Sequence, residues 1–539
     1  MKFFVAVYFI FYLFQVCIAE DEVVVKTAKG LIKGFSQQTR NGMTYSSFLG
    51  IRYAQSPTDY LRFQTPQPIN PWDGVFDATK EKGMCFQVDQ DNDLETEDCL
   101  LLNLFTPVDL RNNSSAKLPV MFFIHGGGFI EGTGILEWGV GPIFFMEYDV
   151  IMIAINYRLG PFGFLSTGDN VIPGNLGMKD QIFALKWVQE NIEYFGGDPT
   201  KVTIFGQSAG SASVSYLLLS PLATGLFRAA ILESGSALSP WGYQRNHVEI
   251  AYKTAAILNE AFNETNTNST ELLSFLKTVP ARDLDAASFQ ITQRLEYPGN
   301  MQISKGCFYT PSIEPVHDDA FLTSYQFKRG RKHVHVIRYL PNYVPFDMHI
   351  QNETILNIVG HSIKEFYSPN SDFDNLSGVQ YHSNQDFDKS IIKQGELQAP
   401  YTPVYFYEFT YSGKMGNNIN HLEGSGKVTH GEEQNYIFSR WYSNEVPDNT
   451  DLSNFPQTDI NVHSRFMTLF TNFAKHLNPT PKEDPILENV IWPTVRSDNF
   501  VYLDIGENLV VKNGYPKSDM YIFWNELYKN YGSRPFDSF

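Results

Sequence analysis

The pentapeptide Gly206-Gln207-Ser208-Ala209-Gly210 follows the apolar run VTIF and opens the helix-like stretch SAGSASVSYLLLS. A glycine on either side lets the chain turn sharply from strand to helix, which lifts the serine hydroxyl onto a helix N-terminus where backbone N–H groups face a developing anion. That arrangement suits a nucleophile in acyl transfer. A second run, His125-Gly126-Gly127-Gly128-Phe129, ends another apolar stretch. Consecutive glycines leave backbone N–H groups open to a substrate oxygen, as an oxyanion hole requires. Alone, such a run equally suits a glycine turn or a phosphate cradle; beside the serine motif it favours acyl transfer. The Cys and His residues show no zinc-like spacing, and no metal or organic cofactor is implied.

Both motifs need a scaffold that ends strands at fixed points. From about residue 118, short apolar runs bounded by glycine alternate with longer amphipathic stretches, the pattern of βαβ units in a mainly parallel sheet flanked by helices. The expected strands are 118–124, 150–155, 202–205 and 229–233, and a helix over 178–192 places Ile182, Leu185, Trp187, Val188 and Ile192 on one face. No linker or repeat divides the chain, so one large α/β domain over 20–539 with long insertions is expected.

The 539 residues carry 41 Lys and Arg against 59 Asp and Glu, a formal charge of −18 that excludes a basic nucleic-acid binder. Hydrophobic residues make up 43%, ample for a buried core. Residues 1–19 join one lysine to an apolar run and end on Ala19, which predicts a secretory signal peptide and a secreted protein. No later stretch approaches the ~20 apolar residues that a span needs, so no integral membrane contact is expected. Sequons at Asn112, Asn113, Asn263, Asn268, Asn352 and Asn375 suit a glycosylated surface. Cys85 and Cys99 lie close enough to close a small acidic loop, and an oxidising compartment favours that disulfide. Cys17 leaves with the leader, and Cys307 is expected as a buried thiol.

Longer segments add a resemblance. FGGDPTKVTIFGQSAG from Phe195, EDCLLLNLFTP from Glu97, SFLGIRYA, PWDGVFDAT, NYRLGPFGFLSTGD and PVYFYEFTYSG are similar to segments of the type-B carboxylesterases. This α/β-hydrolase family includes insect esterases, juvenile hormone esterases and cholinesterases. The resemblance implies Ser208 as nucleophile, Gly127, Gly128 and Ala209 as oxyanion donors, and Cys85–Cys99 as the family's first disulfide. It also implies Arg62 with Glu97 and Arg158 with Asp180 as scaffold ion pairs, and His430, in KVTHGEEQNYIF, as general base.

One position departs from the family. Its triad acid belongs to a Glu-Gly pair beyond a segment that matches Pro311-Ser312-Ile313-Glu314, and counting forward places that acid at Val344, followed by Pro345. Neither can orient an imidazole. Residues 328–349 also lack the family's strand-Gly pattern. Three accounts stand side by side: Asp347 or Glu233 orients His430 from another direction, the acid is lost, or the stretch is misjoined in the assembled sequence.

The expected activity is serine carboxylic-ester hydrolysis of small apolar carboxyl esters through an acyl-enzyme, with detoxification or sequestration of xenobiotics as the role. The Cys85–Cys99 loop lacks the tryptophan with which cholinesterases hold a quaternary ammonium, which argues against that substrate. Gln207 occurs in juvenile hormone esterases and in other insect esterases alike. The alternative is an impaired homologue that acts as an ester or organophosphate sink, or as a non-catalytic interaction protein, since the fold also serves as an adhesion ectodomain.

Overall fold

The computed structural model describes residues 22–87, 93–112, 115–136, 139–262, 266–296, 307–323, 340–369, 373–416, 422–439 and 449–533. The expected signal peptide and the sequons at Asn113 and Asn263 lie outside them.

The central sheet runs from an antiparallel half into a parallel half. Strands β1 (Glu22–Lys26), β2 (Leu31–Gln38), β3 (Thr44–Arg52) and β5 (Leu101–Thr106) pair antiparallel in that order, and β4 (Val75–Asp77) lies parallel to β2. β5 then pairs antiparallel with β7 (Ile151–Ile155). The remaining order is β7, β6 (Leu118–Ile124), β8 (Gly197–Gln207) and β9 (Ala229–Glu233), all parallel. The four strands read from the sequence are this parallel half. The antiparallel half escaped because β2 and β3 mix polar residues into their runs, LIKGFSQQ and TYSSFLGIR.

The parallel strands are apolar without alternation because both faces are covered. Along β6, Val120, Phe122 and Ile124 point into one core, and Met121 and Phe123 into the other. Helix α1 (Leu176–Asn191) covers the first face with Ile182, Leu185 and Val188. The second face packs against α5 (Gln457–His476) through Phe466, Leu469 and Phe470. Between them in sequence come α2 (Ala209–Leu219), α3 (Glu353–Tyr367) and α4 (Lys389–Gln398), and α6 (Ser518–Tyr531) ends the described chain. A separate three-stranded sheet joins β10 (Phe406–Phe409), β11 (Val501–Ile505) and β12 (Leu509–Asn513).

Three ion pairs, two of them buried on both sides, tie the loops to this frame. Arg62 grips Glu97 through Nε and Nη2, at 2.6 and 2.5 Å, and its Nη1 donates to the carbonyls of Leu276 and Val279. Arg158 holds Asp180 at 2.8 and 2.7 Å. The third, Lys179 to Glu314 at 2.6 Å, was not read from the sequence; it docks the Pro311–Glu314 segment on α1. Cys85 and Cys99 form a disulfide. Cys307 is half-buried rather than buried, since it lies in an irregular segment held to Trp241 by a backbone hydrogen bond. Asn268, Asn352 and Asn375 are exposed: the first two cap helices through their side-chain oxygens, and Asn375 opens another. Asn112 ends a short 3-10 turn.

Candidate active site

β8 ends at Gln207 and α2 starts at Ala209, so Ser208 alone makes the turn, at φ 57° and ψ −120°. A non-glycine residue in the left-handed half of backbone space is strained, and the surroundings must hold it there. They do so with glycines and a backbone bond. A Cβ on Gly206 would stand 2.5 Å from the Ile124 carbonyl oxygen, and one on Gly210 would stand 2.0 Å from the same atom. The Ser208 amide donates to the Glu233 carbonyl oxygen at 2.8 Å, which pins the turn to the end of β9.

The glycine run crosses the same end of the sheet. A Cβ on Gly126 would lie 3.1 Å from the Ser208 Cβ, so this loop approaches the serine as only a glycine can. Gly127 and Gly128 take φ of 95° and 60°. Among the described residues, no acceptor takes the amide N–H groups of Gly127, Gly128 or Ala209, which leaves these donors open beside the Ser208 turn. His125 is a brace for the loop: its ring stacks on Tyr157 at 4.4 Å, and the Tyr157 hydroxyl donates to the His125 carbonyl oxygen.

His430 reaches the turn from the far end of the sequence. Its Nε2 lies 3.1 Å from the Gln207 amide nitrogen, and Phe387 packs on the ring at 4.7 Å. With the Gln207 amide N–H as donor, the ring proton sits on Nδ1 and the Nε2 lone pair is taken up by that amide, one residue before Ser208. Burial drives the His430 pKa down to about 4, so the imidazole is neutral at physiological pH.

Among the described residues, no carboxylate completes the set, and His430 bonds to neither acid candidate. Glu233 accepts the Gln434 amide at 2.7 Å, and Asp347 accepts the Tyr528 hydroxyl at 2.7 and 2.8 Å, beside Lys389. Val344 packs in the apolar cluster around α3 and α6. Residues 324–339, outside the described set, contain no Asp or Glu at all.

Two features beneath the site were not legible in the sequence. The Gln434 amide bridges Glu233 to Glu433, at 2.7 and 3.5 Å. Both carboxyls are buried, and burial first, then the charge of an acidic neighbour, raises their pKa values, that of Glu433 to about 7. The other is Gln207 as the hydrogen-bond partner of His430. A search for charged groups passes over a neutral amide.

The carboxylesterase family model matches residues 21–394 and 347–524, nearly the whole chain. The chain belongs to the carboxylesterase family. It is 34% identical to esterase FE4 of Myzus persicae, over 84% of this chain and 86% of that one. It is also 30% identical to neuroligin-2 of Mus musculus, over 94% of this chain and 67% of that one. Among solved structures it is similar to the juvenile hormone esterase of Manduca sexta with OTFP covalently attached, at a TM-score of 0.78 and 29% identity, covering 94% of this chain and all of that one. As in other carboxylesterases, the fold is an α/β hydrolase, here with a mixed central sheet. Among the described residues, no helix is long and apolar enough to cross a membrane.

Proposed function

We propose that this chain is a secreted serine carboxylic-ester hydrolase that acylates readily at Ser208 and deacylates slowly, so that it sequesters apolar esters more than it turns them over. One observation carries the reading: a strained Ser208 lies beside open backbone donors and next to Gln207, which holds a neutral His430, and among the described residues no carboxylate bonds that histidine.

In the first step the Gln207 amide gives up its hydrogen bond to His430 Nε2, the Ser208 hydroxyl attacks the ester carbonyl, and that nitrogen takes the hydroxyl proton. Negative charge collects on the carbonyl oxygen against the N–H groups of Gly127, Gly128 and Ala209, and the alcohol leaves with the proton. In the second step His430 takes a proton from water, which attacks the acyl carbon and frees Ser208. Each step passes through an imidazolium. A triad carboxylate stabilises that cation, and its removal costs about four orders of magnitude in turnover. Here burial opposes the same cation without compensation. The nucleophile and oxyanion donors alone retain about 10³-fold over water, enough to acylate with an activated ester or a phosphorylating agent. The similarity to an esterase whose solved structure holds a covalently attached ligand supports this reading.

The likeness to neuroligin-2 favours a second reading, an interaction protein on the same fold. A tagged fluorophosphonate separates the two. Labelling lost in Ser208→Ala supports an acylating esterase, and an intact chain that stays unlabelled supports the interaction protein.

A further inference from the structure

A cavity of about 490 Å³ opens between the start of the sheet and the short turn at Asp59–Leu61, and none of its lining residues belongs to the Ser208 site. Its size suits a ligand rather than a few waters. Three rings join Ile51, Leu61 and Ile69 in the apolar part. Trp72 and Phe76 lie 5.8 Å apart, and Tyr60 lines the cleft from the turn, 73% exposed. Trp72 is fixed in place before any ligand arrives. Its backbone N–H donates to Lys29 O at 3.0 Å, and its indole N–H donates to Leu31 O at 3.1 Å. A Cβ on Gly30 would lie 2.5 Å from the indole, so the ring packs tightly on bare backbone. The turn is anchored next door, where Arg62 grips Glu97.

The polar part of the wall selects among ligands. Arg52 points its guanidinium at Asp98 in a two-pronged pair, which fills the fork that would bind a phosphate or carboxylate. Gln55 spends its amide N–H on Pro68 O, which leaves its carbonyl as an acceptor. Asp59 has no ionic partner among the described residues and offers two more acceptors, and Asn70 offers both donor and acceptor. Lys82 Nζ lies over one face of Phe76, 3.4 Å from its centroid, so Trp72 and Tyr60 carry the stacking; flat aromatic faces beside planar hydrogen-bonding side chains, with the lining cation Arg52 already paired, match a pyranose. Its axial C–H groups stack on rings, and its hydroxyls donate to carboxylate and amide oxygens. A fatty chain would bury those polar groups unpaired, and a phosphate would find its fork occupied.

We infer that this cleft is a carbohydrate-binding site, independent of the Ser208 chemistry, that takes one or two pyranose rings of a neutral glycan or glycoside. The intact chain is titrated with methyl β-D-glucopyranoside, methyl α-D-mannopyranoside and N,N′-diacetylchitobiose, with tryptophan fluorescence and ligand-observed NMR as readouts. The expected result is saturation by at least one of them at millimolar or lower concentration. Tyr60→Ala and Asn70→Ala each weaken it about 3- to 10-fold, Trp72→Ala abolishes it, and Ser208→Ala leaves it unchanged. Because Trp72 also packs on Gly30, the exposed Tyr60 keeps the test decisive if Trp72→Ala fails to fold. The inference is overturned if no sugar saturates by about 50 mM, near −2 kcal/mol. It is equally overturned if Tyr60→Ala binds as the parent does, or if tetramethylammonium, decanoate or inorganic phosphate binds the cleft in place of the sugars.

Discussion

At the scale of single residues, the proposed chemistry turns on His430, whose ring, among the described residues, meets the Gln207 amide and Phe387. The His430 pKa of about 4 means that the base keeps its lone pair far below the pH at which an ordinary histidine loses it. Because kcat/KM reports the free enzyme's base, the rate of Ser208 labelling should stay flat from pH 7.5 to 5 and fall only near pH 4. A midpoint near 6.5 would show that the ring is solvated or carries a charged partner. His430→Ala should slow labelling by about 10²- to 10⁴-fold, the usual contribution of a positioned base. Ser208→Ala should abolish it.

At the scale of elements, the strand-to-helix turn is legible in the sequence because its constraints are local. Gly206, Ser208 and Gly210 flank one bend, and each glycine answers to a backbone oxygen that a Cβ would strike. Gly210→Ala should therefore displace β6 from α2, cost about 1–3 kcal/mol by denaturant titration and reduce labelling. The scaffold pairs were legible only through the family pattern, since nothing local tells Arg158 that Asp180 lies beside it. Asp180→Ala leaves a buried guanidinium without its counter-charge and should cost about 3–5 kcal/mol. An apparent cost below 1 kcal/mol would mean that solvent reaches Arg158. What stayed hidden shares one cause: Lys179 with Glu314, and Gln434 with Glu233, meet across more than a hundred residues. Such contacts depend on the packed fold, and spacing carries no trace of them. The same holds for the fate of Asp347 and Glu233, whose neighbours Tyr528 and Gln434 could not be foreseen from position.

At the scale of the whole molecule, burial of opposite kinds of titratable group sets the pH response. Glu433 is raised from 4.5 to about 7 in the fold, so the folded chain holds a proton there that the unfolded chain releases. Its contribution to stability is fully present below about pH 4.5 and is lost as pH rises through 7. Glu433→Gln removes that loss, so its Tm should fall less than the parent's between pH 6 and 8 in calorimetry; parallel curves would contradict the burial of that carboxyl. Reduction of Cys85–Cys99, which spans 14 residues, should cost about 3 kcal/mol by loop entropy without silencing Ser208. These properties frame the central question, which is whether a carboxylesterase body with an unsupported histidine traps its ester or releases it. The most direct measurement is rapid mixing of the intact chain with a p-nitrophenyl ester. The account predicts a burst of one equivalent of p-nitrophenol per chain, lost in Ser208→Ala, followed by a steady rate orders of magnitude slower. Sustained rapid turnover without a burst, or no p-nitrophenol release at Ser208 at all, would contradict it.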